Sequence, residues 1–288
     1  MAIKTIIRKI INLFRPNQIV KADISVLTPN SLLLGRKAII TGGTSGIGYQ
    51  IAISFLKAGA EVLITGRSQK RIDDAISKIC SLNADYASRV YGIEMDITDI
   101  ENMENIFQLV LKKIGRVDIL VNNAGLTGGH INDCTENDFN SIVNTNMKGV
   151  FFLSRIVGRY MVSNKIQGNI LNLCSSSSLR PANSVYTMSK WAIKGLTEGL
   201  ARMLIPYGIV VNGIAPGLTA TPMLNKNDSS DNLFNQYVLT KRYATAEEIA
   251  EMAVILVSNM CRMVVGDILY MTGGSGLLYQ EDVNYKFE

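Results

Sequence analysis

From residue 32 onward, short continuous apolar runs rich in β-branched residues alternate with longer stretches in which apolar residues recur every three or four positions. The runs lie at 37–41, 61–65, 90–95, 118–121, 169–174, 209–214 and 267–271. Unbroken apolar runs, as opposed to apolar–polar alternation, are expected of strands covered by helices on both faces. Helical periodicity occupies 46–58, 69–82, 99–114, 136–163, 184–204 and 245–258. Strands regularly separated by helices predict an α/β fold: a Rossmann-type doubly wound parallel sheet of about seven strands, forming one domain over 32–288. No internal repeat or Pro/Gly-rich linker divides that region. The longest break runs from 216 to about 240, with a polar centre at 225–232. A connection after the sixth strand leaves the carboxyl end of the sheet, where such folds bind ligands, so residues near 217–240 are expected to form a substrate lid and not a passive surface insertion.

Residues 1–31 follow a different pattern. Ile3, Ile6, Ile7, Ile10, Ile11 and Phe14 share one helical face, Lys4, Arg8, Lys9, Asn12 and Arg15 the other, and Pro16 ends the run. This basic amphipathic helix is not a secretory signal, because Arg8-Lys9 interrupts its apolar core. Two readings are open: residues 3–15 contact an anionic membrane surface, or their isoleucine stripe docks on the catalytic domain or on a second copy of the chain. Charge sharpens the division. The chain of 288 residues carries a net +5, and residues 1–21 hold five basic residues and no acid, leaving 24 basic against 24 acidic residues elsewhere. A charge-balanced body argues against nucleic acid as a partner. With 47% hydrophobic residues the chain is not disordered, and no apolar stretch approaches the ~18 residues of a spanning helix. Four scattered cysteines and the single His130 argue against a metal site and fit reduced thiols in a cytoplasmic protein, peripheral at the membrane if the basic helix binds lipid.

The first run leads directly into Thr41-Gly-Gly-Thr-Ser-Gly-Ile-Gly48, which opens the first helix. Glycines let the backbone turn sharply and approach a pyrophosphate, while the helix start supplies N–H donors and a positive dipole end. Gly42, Thr44, Ser45, Gly46, Ile47 and Gly48 are therefore candidate dinucleotide contacts. An acid at the end of the second strand would bond the ribose 2′-hydroxyl of NAD; here the strand ends Thr65-Gly66-Arg67-Ser68, and Arg67 suits a 2′-phosphate instead. The expected cofactor is NADP(H).

Tyr186-Thr-Met-Ser-Lys190 begins the helical segment 184–204, so Tyr186 and Lys190 share one face. A phenol ordinarily titrates near pH 10, and an adjacent ammonium, helped by a cationic nicotinamide, is expected to lower it toward a useful acid–base range.

The TGxxxGxG spacing and the YxxxK pair together resemble the short-chain dehydrogenase/reductase family, from about residue 32 to residue 274. The loop differs from the TGxxGxxG of the family's extended branch. The resemblance implies that Asp96 sits near the adenine, and that Asn123, Ala124 and Gly125 of the Asn122–Gly125 motif line the cofactor. It also implies that Pro216, Gly217, Thr219 and Thr221 approach the nicotinamide. It implies a catalytic set of Ser175, Tyr186, Lys190 and Asn146. Tyr186 exchanges the proton, Lys190 tunes Tyr186 and binds the nicotinamide ribose, and Asn146 holds a local helix distortion and a proton-relaying water. Cys174-Ser-Ser-Ser-Ser178 precedes Tyr186 by a shorter gap than is usual, which leaves Ser176 as an alternative to Ser175. His130 is unassigned, and the closing Gly273-Gly274 is read as structural. The implied activity is an NADP(H)-dependent oxidoreductase moving a hydride between nicotinamide and a small-molecule carbonyl or secondary alcohol, similar to 3-oxoacyl-carrier-protein reductases and assembled as a homodimer or homotetramer. The alternatives are an NAD-dependent sugar or secondary-alcohol dehydrogenase, or a low-turnover nucleotide-binding scaffold.

Overall fold

Adjacent residues of a strand point to opposite faces, and here both faces are dry. Ala38, Ile40, Val62, Ile64, Ile119 and Val121 enter one apolar core, whereas their neighbours Ile39, Leu63 and Leu120 enter a second. Such strands need helices on both sides, and the computed structural model, which describes residues 31–224 and 233–276, has that arrangement. The amphipathic stretch 3–15 and the polar centre of the expected lid, 225–232, lie outside the described residues.

Strands β1 (Lys37–Ile40), β2 (Glu61–Gly66), β3 (Val90–Glu94), β4 (Ile119–Asn122), β5 (Asn169–Leu173), β6 (Val210–Pro216) and β9 (Ile268–Met271) form one sheet in the order β3-β2-β1-β4-β5-β6-β9. Every pairing in it is parallel. The chain steps outward from β1 to β3, then returns to place β4 on the other side of β1. The reversal opens a crevice between β1 and β4 at the carboxyl ends of the strands. Helices α1 (Gly46–Lys57), α2 (Gln69–Leu82) and α7 (Ala246–Val257) cover one face, and α3 (Met103–Ile114), α5 (Val150–Ser163) and α6 (Val185–Leu204) the other. Phe55, Ile72 and Ile249 are fully buried in the first core and Met103 and Leu120 in the second. Each such side chain contributes roughly 1.5–3 kcal/mol by leaving water.

The expected helix 136–163 is interrupted. It consists of α4 (Glu136–Val143), a π-helical turn (Asn144–Gly149) and α5. The widened turn lies where the helix presses on the end of β3, and a Cβ on Gly149 would sit 2.5 Å from the Ile97 carbonyl oxygen. The helix expected from residue 99 starts at Met103, because Asp99 instead turns the chain by accepting from the Asn102 amide. A further parallel pair, β7 (Thr219–Ala220) with β8 (Ala244–Thr245), ties together the two ends of the segment that follows β6. Among the described residues no helix is long and apolar enough to cross a membrane.

Candidate active site

A cavity of about 480 Å³ opens at the carboxyl ends of β1, β2, β3, β4, β5 and β6, and its wall is built from the residues just beyond them. On the β1 side, Gly46 has φ +56, the left-handed region in which a side chain would be strained. Gly48 is needed for a different reason. It packs beneath the loop, where a Cβ would lie 2.3 Å from Asn123 Nδ2 and 2.6 Å from the Gly42 carbonyl oxygen. Asn123 Nδ2 donates to the carbonyls of Thr41 (2.9 Å) and Gly42 (3.0 Å), while the Thr41 hydroxyl accepts from the Asn123 and Ala124 amides. The loops after β1 and β4 are thus locked together. Gly42, Thr44, Ser45, Gly46 and Ile47 line the cavity; Gly48 stands behind them.

The surroundings of this loop suit a dinucleotide. Ser45 precedes α1 without capping it, and no acid occupies the first turn, so the leading N–H groups and positive dipole end are not neutralised by a side chain. Thr65 Oγ1 is buried at the end of β2 with no hydrogen-bond partner, and the residue lines the cavity beside Arg67, Ser68 and Arg71. An orphaned hydroxyl among two guanidiniums and a second hydroxyl fits the ribose and phosphate of a nicotinamide dinucleotide. Asp96 lines the next position along the sheet, its Oδ1 taken up by the Thr98 amide and hydroxyl. Asn123, Ala124 and Gly125 follow at β4, and Pro216, Gly217, Thr219 and Thr221 at β6.

Ser175, Tyr186 and Lys190 meet on the β5 side. The start of α6 is held in two ways. Ser184 Oγ accepts from the Thr187 amide, and the amides of Val185 and Tyr186 donate to the carbonyls of Gly129 (2.9 Å) and Gly128 (3.4 Å) in the loop after β4. Lys190 Nζ donates to the Leu173 carbonyl at 2.7 Å and lies 5.7 Å from the Tyr186 ring centre. Of the two serines weighed above, Ser175 is the one whose side chain eases ionisation of the Tyr186 phenol, and its Oγ accepts from the Ser177 amide at 3.1 Å. Asn146 does not line the cavity. Its Oδ1 accepts from the Leu126 amide, and its Nδ2 donates to the Leu126 carbonyl (2.8 Å) and to Ser189 Oγ (3.0 Å), which in turn donates to the Tyr186 carbonyl. Asn146 thereby joins the π-helical turn, the loop after β4 and α6.

Without cofactor, burial outweighs Lys190 at Tyr186: desolvation pushes the phenol above its ordinary value, and Ser175 offsets this only in part. Burial likewise holds the Lys190 ammonium below the usual lysine range. Cys174, behind Ser175, is pushed up to about 11 by desolvation and stays a thiol at neutral pH. Without cofactor, Tyr186 should therefore ionise above pH ~10. The difference in phenolate absorbance between wild type and Tyr186→Phe measures it directly; a transition near neutrality would show that Lys190 prevails over burial.

His130 is exposed and pairs its backbone with Ser184 in an antiparallel bridge, and among the described residues no cluster of His, Cys, Asp and Glu could hold a metal. Thr65, Ser68, Arg71 and Arg180 also line the cavity and were not foreseen. Arg71, four positions after Arg67 and hence on the same helical side, carried a readable signal. Thr65 looked like any strand threonine.

Comparison with known proteins follows the same lines. The family model for short chain dehydrogenases matches residues 36–232. Gluconate 5-dehydrogenase of Gluconobacter oxydans is 32% identical over 84% of this chain and 95% of its own. The structure of a 3-ketoacyl-(acyl-carrier-protein) reductase from Brucella melitensis complexed with NADH superposes with a TM-score of 0.76 at 27% identity, covering 85% of this chain and 100% of the other. A short chain dehydrogenase from Burkholderia cenocepacia in complex with NADP gives 0.74 at 32% identity, over 84% and 98%. A match that runs from the foot of β1 past the end of β6, with relatives covered almost end to end, means that the chain belongs to the short-chain dehydrogenase family of oxidoreductases.

Proposed function

We propose that this protein is an NADP(H)-dependent reductase of a small carbonyl compound, or the dehydrogenase of the corresponding secondary alcohol, with 3-oxoacyl thioesters as the first substrate class to try. The observation that carries the reading is that Ser175, Tyr186 and Lys190 face the cavity that the glycine loop also faces. The nicotinamide, when bound, supplies or accepts the hydride. The chain does the rest. Ser175 holds the substrate oxygen, and Tyr186, kept protonated by burial, delivers a proton to it in reduction. Lys190, fixed by the Leu173 carbonyl, places positive charge beneath the phenol as that proton leaves. NADPH-dependent turnover of a carbonyl panel tests the reading. Cofactor binding with no turnover of any member would instead favour a nucleotide-binding scaffold.

The preference for NADP(H) is drawn from Arg67 and Arg71 beside Ser68, with no carboxylate at the end of β2. A charge-assisted bond to a 2′-phosphate is worth about 1.5–3 kcal/mol. Arg67→Ala is therefore expected to weaken NADPH binding about 10–100-fold and NADH binding less than about threefold. Titration of both cofactors against cofactor-free protein reads this, and equal losses would assign Arg67 a structural role. A second reading is oxidation or reduction of a sugar acid. It is favoured by the similarity to gluconate 5-dehydrogenase and by a cation, Arg180, on the substrate side. Assembly into homodimers or homotetramers is supported by large exposed apolar side chains on α5 and α6, among them Phe151, Met188, Trp191 and Met203.

A further inference from the structure

The charged residues on the cavity wall are Arg67, Arg71, Arg180, Lys190 and Asp96. Arg67 and Arg71 sit beyond β2. Arg180 follows β5, three strand positions away across β1 and β4, and strands about 4.8 Å apart put the two strand ends roughly 14 Å from each other. Lys190 is engaged by the Leu173 carbonyl, and Asp96 by Thr98. Arg180 is different. Among the described residues its guanidinium has neither an ion pair nor a hydrogen bond, and no acid lines the cavity near it.

Its backbone is nevertheless fixed. Arg180 ends the single turn Ser176–Leu179 that follows Ser175, and its amide donates to the Ser177 carbonyl at 3.2 Å. Its carbonyl accepts from Trp191 Nε1 at 3.0 Å, which ties it to α6 one residue beyond Lys190. Pro181 follows it, and a residue before proline is confined to extended backbone; Arg180 has φ −117 and ψ 153. Arg180 is exposed and lines the cavity, so its guanidinium is open to a ligand while its backbone stays pinned to the elements that carry Ser175 and Lys190.

We propose that Arg180 is the receptor for an anionic group of the substrate, a carboxylate or a phosphate, carried on the part of the molecule that extends away from the reacting carbonyl. This deepens the function proposed above and rests on it. The guanidinium fork matches either anion bidentately. It would act as a specificity determinant, with no part in the proton or hydride transfer.

The test compares matched substrates in wild type, Arg180→Ala and Arg180→Lys. For a carboxylate, 5-keto-D-gluconate is set against neutral L-sorbose, which has the same configuration; for phosphate, acetoacetyl-coenzyme A against the acetoacetyl thioester of N-acetylcysteamine. Wild type should favour the anionic member of at least one pair in kcat/KM. Arg180→Ala should shrink that ratio about 10–100-fold, chiefly through KM, and Arg180→Lys should restore part of it. The pair that responds identifies the anion. A wild type indifferent to charge in both pairs, or a ratio unchanged in Arg180→Ala, would overturn the proposal. Calorimetric titration of D-gluconate and of coenzyme A into the cofactor-loaded protein separates this inference from the wider one. Affinity that depends on Arg180 without turnover would leave the anion site standing and remove the assigned reaction. Turnover of neutral ketones, with no Arg180-dependent affinity for either anion, would do the reverse.

Discussion

Replacing Tyr186 by phenylalanine should lower kcat for NADPH-driven ketone reduction by about 10³-fold or more, while NADPH affinity changes less than about threefold. The size follows from what is lost. The ring remains, 5.7 Å from the Lys190 ammonium, and the backbone of α6 keeps its bonds to Gly128 and Gly129. Only the hydroxyl disappears, and with it the influence of Ser175 on its ionisation. The developing alkoxide then has no proton donor in a site that burial has made poor at stabilising charge. Single-turnover decay of NADPH absorbance, with a melting curve to show an intact fold, measures the effect. Undiminished turnover would exclude Tyr186 as the proton donor.

The second large effect is on stability and cofactor binding together. A Cβ at position 48 would meet Asn123 Nδ2 at 2.3 Å and the Gly42 carbonyl at 2.6 Å. Neither can yield cheaply: the carbonyl is backbone, and the Asn123 amide is held by the Thr41 and Gly42 carbonyls. Moving that amide strips two carbonyls of a partner, at about 1–3 kcal/mol each where they are buried, besides the overpacking itself. Gly48→Val should therefore cost about 3–5 kcal/mol and lower the melting temperature by about 10 °C or more. Because the same amide sets the shape of the loop, the folded fraction should also lose most of its affinity for NADPH. A variant that melted as wild type and bound NADPH normally would show that the loops after β1 and β4 adjust independently.

How far such features can be read from the chain depends on whether the signal is local. The seven long strands are legible because helices on both faces demand apolar residues at successive positions, as in Ala38-Ile39-Ile40. The glycine loop and the Tyr186–Lys190 pair are legible because their spacing is set by one turn of chain. The π-helical turn leaves no mark in the periodicity, which runs straight through Asn144–Gly149; only the family resemblance, through Asn146, points to a distortion there, and the structure puts Ile97 and Leu126 of other elements against it. Arg180 is equally silent, since only the return of α6 and the anchor from Trp191 bring it to the cavity. At Tyr186 the sequence shows the neighbouring charge, whereas the desolvation that raises the phenol without cofactor depends on the whole wall. The two-residue pair of Thr219–Ala220 with Ala244–Thr245 is too short to leave any periodicity.

The start of α6 takes two of its hydrogen bonds from Gly128 and Gly129, and the same loop is held at Leu126 by both polar atoms of the Asn146 amide. The segment 126–129 is therefore a mounting for the reactive phenol as well as a wall of the binding site. That divides the pocket for anyone redesigning its substrate range. The side chains of Leu218, Met223 and Leu224 also line the cavity, on the segment after β6, and hold neither Gly128–Gly129 nor the start of α6. A loop transplanted after β4 has to reproduce two carbonyls and one amide–carbonyl pair in place, or it will carry the tyrosine out of register along with the old specificity.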